Sequence, residues 1–259
     1  MRHGDDGLLR GYAVTHPSGD VRLPQNDRFD QLVHASTGVL RLSTPAGRWV
    51  LPADRAAWVP AGVEHRCRIV HRAAIRTLYL PVGLVRRPPH PAILAVSPLA
   101  RELIVHAVER APLPVDERRT TSLLDLLLPE LDVVEEESLR LPQPTNEPAR
   151  RAAELLAADP VTARSVDDVA RSVGVSRRTL ERSFRAETGL SIGQWRTRQR
   201  LLDAVERLSG GQPVGRIAQE LGYATQAAFG AMFKAHLGSP PGEYRRRRAS
   251  SSTNGRPTG

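Results

Sequence analysis

A helix-turn-helix pattern occurs twice between Ser165 and Tyr244, with the same kinds of residue at nearly the same spacing. The first copy reads Ala170-x-x-Val173-Gly174, Leu180-x-x-x-Phe184-x-x-x-x-Gly189 and then Trp195 six residues later. The second copy reads Ala218-x-x-Leu221-Gly222, Phe229-x-x-x-Phe233-x-x-x-x-Gly238 and then Tyr244 six residues later, with one extra residue in its turn. Two short helices joined by a glycine-containing turn form the unit that places a helix in the DNA major groove. One match would say little, but two in register predict an all-α domain with two such units.

The excess positive charge of the chain lies in the half that carries this repeat. The formal net charge is +9, and residues 146–259 hold 19 basic and 11 acidic side chains, whereas residues 1–145 hold 18 and 17. A local excess of cationic side chains is what the neutralisation of DNA phosphates requires. The distribution therefore favours double-stranded DNA as the partner of the C-terminal half.

The second helix of each unit is the expected DNA-contacting element. In the first unit, Leu180 and Phe184 must face the core of a helix over Arg177–Glu187, which leaves the other side exposed. The candidate DNA contacts there, with the capping residue, are Ser176, Arg177, Arg178, Thr179, Glu181, Arg182 and Arg185. The same pattern also fits a solvated helix face with internal ion pairs.

The second unit has a helix predicted over about Thr225–His236, and it is poor in groups that could read a base. Its candidate DNA contacts are Thr225, Gln226, Ala227, Ala231 and Lys234. We expect this helix to contribute phosphate contacts and shape fit more than hydrogen bonds to bases. A helix over about Ile192–Leu208 joins the two units and fixes their separation.

Residues 10–82 contain short stretches of strand-forming residues separated by glycine and proline turns. The predicted strands are Leu32–Ser36, Val39–Leu42, Arg48–Leu51, Ala56–Val59, His65–Val70 and Ile75–Leu80. Short and evenly spaced strands are typical of a small β-sandwich or barrel. The predicted fold class is therefore α+β, with an N-terminal barrel (residues 1–91) and a C-terminal all-α domain (residues 148–248).

Two helices are expected between these domains, over residues 92–134. Ser97-Pro98 supplies a cap and a first helical position, and Asp116 can cap the second helix. Their apolar faces are formed by Leu99, Leu103, Ile104 and Ala107, and by Leu123, Leu124, Leu127 and Leu128. Such faces either cover the open side of the β domain or pair with a second copy in a homodimer, and the sequence leaves both open. Residues 135–147 are predicted to be a linker and residues 249–259 a disordered tail.

The C-terminal half resembles the DNA-binding domain of the AraC family of transcription regulators. The most specific stretch is Leu221-Gly222-Tyr223 through Phe229-x-x-x-Phe233-Lys234-x-x-x-Gly238-x-x-Pro241-x-x-Tyr244-Arg245, and the resemblance extends from Pro148 to Arg247. It implies that Arg178, Glu181 and Arg182 read bases in the first unit. The corresponding positions of the second unit hold Ala227 and Ala231, which cannot hydrogen-bond to a base.

The N-terminal half resembles a cupin-like sensor barrel. Pro60-x-Gly62-x-x-His65 matches the second cupin signature, and two stretches, Gln31-Leu32-Val33 and Thr44–Pro52, resemble the sensor domain of the AraC subgroup with repressors of drug-export and iron-related genes. The resemblance implies a ligand-responsive switch, with candidate pocket residues His34, Trp49, Trp58 and His65. No His-x-His pair precedes Gln31, so we expect a small organic effector and neither a metal site nor a cofactor.

Two function classes therefore stand against each other. The first is a sequence-specific transcription regulator, repressor or activator, without enzymatic activity. The second is a cupin-type metal enzyme fused to a DNA-binding domain, and the missing histidine pair argues against it because a catalytic metal usually needs three protein ligands and an open position. No Ser/His/Asp, Cys/His, phosphate-loop or dinucleotide-binding pattern points to another enzyme class.

Composition adds expectations about location. No apolar run approaches the length needed to cross a bilayer, and residues 1–6 do not resemble a signal peptide. Cys67 is the only cysteine, so an internal disulfide cannot form and a reducing cytoplasm fits. We expect a cytoplasmic protein without membrane association.

Overall fold

The computed structural model describes residues 7–24, 27–134, 137–158 and 164–252, with the backbone alone for residues 137 and 247–252. Within these ranges the chain folds as two units. The first unit of the fold comprises residues 7–44, 51–134 and 246–252, and the second comprises residues 45–50 and 137–245. Among the described residues, no helix has the length and apolar character that a membrane span requires.

The strands of the chain are antiparallel throughout the described pairings. Their bounds are β1 (Leu8–His16), β2 (Gly19–Val21), β3 (Phe29–Thr37), β4 (Val39–Thr44), β5 (Gly47–Pro52), β6 (Arg55–Val59), β7 (Arg66–Ile69), β8 (Ala73–Pro81), β9 (Ala92–Ala95), β10 (Leu113–Pro114) and β11 (Arg140–Leu141). All six predicted strands are confirmed, as β3 to β8. The sequence did not indicate β1, β2 or β9 to β11. The predicted α+β class is confirmed, because antiparallel sheets precede a helical C-terminal region.

The first unit contains a six-stranded sheet of order β10-β1-β8-β3-β6-β9. One face of this sheet packs against helices α1 (Pro98–Arg110) and α2 (Arg118–Leu127), and α1 contacts β1 and β8. The shared core holds Leu9, Leu32, Trp58, Leu78, Leu80, Leu94, Ile104, Ala107, Leu124 and Leu127. Helix α1 approaches the sheet so closely that a Cβ atom at Gly11 would lie 2.7 Å from the carbonyl oxygen of Val108. The helical pair thus covers the sheet within the chain.

Two details of the predicted helical pair are wrong. Leu99 is 52% exposed and does not join the buried face. Helix α2 begins at Arg118 after Glu117, without a side-chain cap, so Asp116 does not cap it. Sequence signals place helix ends only to within one or two residues, which accounts for the shifted start of α2.

The opposite face of the six-stranded sheet turns away from these helices. Strands β4 and β2 flank β7 in the other sheet of this unit, and β4 contacts both β3 and β8. Alternate residues of these strands are buried apolar side chains, namely Val21, Leu40, Leu42, Cys67 and Ile69. We call the face of the six-stranded sheet that is turned away from α1 and α2, toward β2, β4 and β7, the inner face.

The remaining helices lie in residues 147–252, and most of them belong to the second unit. Their bounds are α3 (Glu147–Ala158), α4 (Val166–Ser172), α5 (Arg177–Thr188), α6 (Ile192–Ser209), α7 (Val214–Glu220), α8 (Gln226–Leu237) and α9 (Pro241–Ser252). The short strand β11 pairs with β5, with Arg140 opposite Trp49 and Leu141 opposite Arg48. Arg48 also forms an ion pair with Asp203 of α6 at 3.9 Å. Residues 45–50 are therefore held against the helical unit.

The predicted linker and tail are partly regular structure. Residues 137–141 form a 3-10 turn and β11, and Leu139 and Leu141 are buried, so this part of the predicted linker is anchored. Helix α9 continues to Ser252, into the stretch predicted to be disordered from Ala249. Residues 135–136 and 253–259, which belong to the same two predictions, lie outside the described residues.

Candidate nucleic-acid interface

The two helix-turn-helix units have the same backbone geometry at equivalent positions. In the first turn, the Val175 amide donates to the Ala170 carbonyl at 3.1 Å, and in the second turn Tyr223 donates to Ala218 at 2.9 Å. The intervening glycines have φ values of +76° at Gly174 and +77° at Gly222. This left-handed conformation favours glycine because a Cβ atom would be strained there. The sequence repeat is therefore a structural repeat.

Each unit encloses an aromatic core that fixes the orientation of its second helix. In the first unit, the rings of Phe184 and Trp195 meet edge to face with centroids 5.8 Å apart. In the second unit, Phe233 and Tyr244 meet in the same way at 5.2 Å. Phe184, Phe229 and Phe233 have no solvent exposure. Because these side chains face inward, the opposite sides of α5 and α8 must face solvent.

Side-chain caps begin both second helices. The Ser176 hydroxyl accepts from the Thr179 amide at 3.2 Å at the start of α5, and the Thr225 hydroxyl accepts from the Ala228 amide at 3.1 Å at the start of α8. The Ser176 and Thr179 hydroxyls also share a hydrogen bond of 2.8 Å. These bonds satisfy amides that the helices themselves cannot satisfy. Ser176, Thr179 and Thr225 therefore have a structural role in addition to the predicted DNA contact.

The exposed side of α5 carries all the charged residues that the sequence placed there: Arg177, Arg178, Glu181, Arg182 and Arg185. Arg177 is engaged, since it donates to Glu181 at 2.9 Å and to Asp167 of α4 at 3.2 Å. These carboxylates raise the pKa of Arg177. In the part of the chain that the structure describes, the guanidinium groups of Arg178, Arg182 and Arg185 form no ion pair or hydrogen bond. Three guanidinium groups on one exposed helix face are thus available to a partner.

The exposed side of α8 is different in character. Ala227, Ala231 and Lys234 are exposed, and Lys234 is its only exposed side chain with a permanent charge. The Gln226 side chain turns toward α7, where its Oε1 atom would lie 3.1 Å from a Cβ atom built at Gly215. This face has small side chains that allow a close approach of the helix to a surface.

Glu187 connects α5 to the segment before α3, a link that the sequence did not indicate. Its carboxylate accepts from the Thr145 amide at 2.5 Å, the Asn146 amide at 2.8 Å and the Thr145 hydroxyl at 2.9 Å. The Asn146 amide, followed by Thr145, lowers the pKa of this carboxyl. A negative charge is also favoured near the N-terminus of α3 by the helix dipole. Nearby, the Trp195 indole N–H donates to the Pro142 carbonyl at 2.8 Å.

The four candidate effector residues do not all belong to one unit of the fold. His34 and Trp58 share the face of Leu32, which packs against the helices, because Leu32 lies opposite Trp58 and His34 opposite Ala56 in the β3–β6 pairing. These two candidate pocket residues therefore lie on the face of the sheet that the helices cover. Trp49 belongs to the second unit of the fold (residues 45–50 and 137–245), where the Arg140 guanidinium lies 5.5 Å from the centroid of the Trp49 ring.

Both candidate histidines have structural hydrogen bonds. His34 is fully buried and its Nδ1 donates to the Arg55 carbonyl at 3.2 Å, while burial lowers its pKa to about 4. His65, just before β7, donates from Nδ1 to the Val63 carbonyl at 2.9 Å, and burial lowers its pKa as well. Both imidazoles are therefore neutral at pH 7. The described residues include no group of three or more His, Cys, Asp or Glu side chains arranged to hold a metal.

Comparison with known proteins gives one family. A family profile described as a helix-turn-helix domain matches residues 169–247. The HTH-type transcriptional regulator NimR of Escherichia coli strain K12 is 34% identical over 217 residues, which cover 84% of this chain and 80% of NimR. A putative AraC-like transcription regulator of Streptomyces lividans is 37% identical over 89 residues, covering 34% of this chain and 29% of that protein. A solved structure of ToxT from Vibrio cholerae aligns with a TM-score of 0.40 and 9% identity, covering 92% of this chain and 98% of ToxT.

Proposed function

Because the chain belongs to the AraC-type family of helix-turn-helix transcription regulators, we propose that its two units bind a two-part DNA site together. In this proposal α5 reads bases with Arg178 and Arg182, with Glu181 beside them and already paired to Arg177. Arg185 and Lys234 contact phosphates, and Ala227 and Ala231 let α8 fit closely into the groove. The chain is a DNA-binding transcription regulator, and the proposal places its action in the cytoplasm.

The observation that carries this proposal is the set of exposed arginines on α5. Arg178, Arg182 and Arg185 project from a helix that Phe184 and Trp195 orient from behind. Arginine presents a planar fork of donors that matches the O6 and N7 atoms of guanine or a phosphate. Of the four arginines on this face, Arg177 alone forms ion pairs among the described residues, so three remain for a partner.

Footprinting of the full chain on the DNA that flanks its own gene tests the proposal. We expect two protected segments on one face of the duplex, with centres about 34 Å, one helical turn, apart. Protection should be lost steeply as the salt concentration rises, because bound cations are released from DNA on binding. A single protected segment, or binding that is insensitive to salt, would contradict the two-unit arrangement.

The regulator is further proposed to respond to a small organic effector bound in the first unit of the fold, which contains the six-stranded sheet. It would work as a repressor or an activator. A ligand can regulate DNA binding only if it binds one arrangement of the protein better than the other. Since His34 and Trp58 pack under the helices, the effector residues must be sought elsewhere in the sheets. Homodimerisation also belongs to the proposal, with exposed Leu99 and Leu126 of α1 and α2 as the surface to test.

A further inference from the structure

The inner face of the six-stranded sheet carries three buried polar side chains, Gln31, Thr77 and Tyr79. They are 2%, 0% and 5% exposed, respectively. Among the described residues, no group hydrogen-bonds to the Oε1 atom of Gln31, the hydroxyl of Thr77 or the hydroxyl of Tyr79. We call these three side chains the inner polar patch.

The three side chains are neighbours on the sheet. Gln31 of β3 lies directly opposite Tyr79 of β8, and Thr77 is two residues before Tyr79 on the same strand. Side chains two residues apart on a strand share a face, and directly opposite residues have Cβ atoms about 5 Å apart. The inner polar patch is therefore one compact group of neighbouring polar side chains.

The patch lies on the side away from α1 and α2. Leu32 and Leu78, which alternate with Gln31, Thr77 and Tyr79 along their strands, belong to the core shared with the helices. The same alternation places Val33, Val59 and Ile75 on the inner face beside the patch. A polar group surrounded by apolar side chains on this face can be satisfied only by its own neighbours or by a molecule from outside the chain.

Strand β1 borders the patch with one arginine, Arg10, and with the half-buried Tyr12, which lies opposite Thr77. Burial raises the pKa of Tyr79 and raises the pKa of Cys67, on the facing sheet, to about 12, so both groups are neutral at pH 7. Arg10 lies opposite Tyr79 on β1, with its guanidinium 5.3 Å from the ring centroid of Phe29. A buried hydrogen-bonding group without a partner carries its full desolvation penalty, and folded proteins keep few of them.

We propose that the inner polar patch binds a small, uncharged molecule in which an N–H donor lies beside a carbonyl acceptor, as in a carboxamide. The Gln31 carbonyl accepts from the N–H of the molecule, and the Thr77 and Tyr79 hydroxyls donate to its carbonyl oxygen. Val33, Val59 and Ile75 surround its hydrocarbon part. This inference deepens the proposed effector response, on which its regulatory meaning rests, and assigns that response to residues other than His34 and Trp58.

Calorimetric titration of the full chain with benzamide tests the binding. Two matched probes are used for comparison. Toluene lacks the N–H donor and the carbonyl acceptor, and benzoate carries a negative charge. We expect benzamide to bind more tightly than either, and Tyr79→Phe and Thr77→Val each to weaken it roughly threefold to tenfold, as expected for the loss of one hydrogen bond. Tyr223→Phe in the second unit is the control and should bind benzamide like the wild type. Absence of benzamide binding, equal binding of benzoate, or unchanged binding in both variants would overturn the proposal.

Thermal unfolding without added ligand provides a second readout. If the two hydroxyls are held for a ligand, Tyr79→Phe and Thr77→Val should leave the Tm unchanged or raise it. A lower Tm in both variants would show that the hydroxyls serve the fold and would count against the proposal. DNA affinity of the same variants is measured separately, and we expect it to equal that of the wild type in the absence of benzamide. Failure of the wild type to bind DNA would refute the proposed regulator but not the ligand site.

Discussion

Arg177 and Arg178 are neighbours in sequence with different surroundings. Arg177 is held by Asp167 and Glu181, so its charge is partly compensated within the first helix-turn-helix unit. Arg178 is exposed and, among the described residues, has no such partner. From the sequence, both residues have the same predicted role. The ion pair between Arg177 and Asp167 of α4 depends on how α4 and α5 pack, which the sequence does not show. The structure therefore separates a positioning arginine from one that is available to DNA.

Substitution of Arg178 by alanine should test this difference. We expect Arg178→Ala to cost about 1–3 kcal/mol of binding free energy on the cognate site and to relax the preference at one base pair. Arg119→Ala, which removes an exposed arginine of α2 in the first unit, is the matched control for lost charge. Fluorescence anisotropy with the cognate duplex and with single-base variants measures both quantities. An equal loss on every duplex would mean that Arg178 contacts only the backbone.

At the level of elements, the sequence predicted the features that depend on neighbouring residues better than those that depend on contacts between distant segments. The helix-turn-helix units, the cap at Ser176 and the six strands β3 to β8 follow from spacing and turn residues, whereas the cap at Thr225 became visible only in the structure. Strand β1 escaped prediction because its glycine, Gly11, is required by the approach of α1, a contact between segments distant in sequence. The faces of His34 and Trp58 depend on strand register, which the sequence did not provide. The unsatisfied atoms of the inner polar patch likewise become visible only in three dimensions.

The connection between α5 and α3 through Glu187 leads to a pH prediction. The pKa of this carboxyl is lowered from its ordinary value of 4.5, so its contribution to stability is present above that value and is lost as the pH falls through the lower folded pKa. The Tm difference between the wild type and Glu187→Gln should therefore shrink as the pH is lowered from 7 into this acidic range. Glu109→Gln, at an exposed position of α1, is the control and should show no such change. A Tm difference that stays constant with pH would refute the role of the Glu187 charge.

At the level of the whole molecule, the repeat implies that two reading helices act at a fixed separation. Helix α6 spans Ile192–Ser209 without interruption and begins with a capping box between Ser191 and Gln194. A helix of this length is about 27 Å long and stiff. Leu201, Leu202 and Val205 of α6 are buried, so this helix is packed firmly against the helix-turn-helix units that it connects. The two units should therefore need their half-sites at one spacing.

Insertion of base pairs between the two half-sites tests the central claim most directly. The affinity of the full chain is measured for the cognate duplex, for a duplex with half a helical turn inserted, and for each half-site alone. We predict that the insertion lowers the affinity by roughly tenfold or more, to the value of the better single half-site, because α6 cannot rotate α8 to the other side of the duplex. An affinity unchanged by the insertion would show that the two units do not bind one face of DNA together.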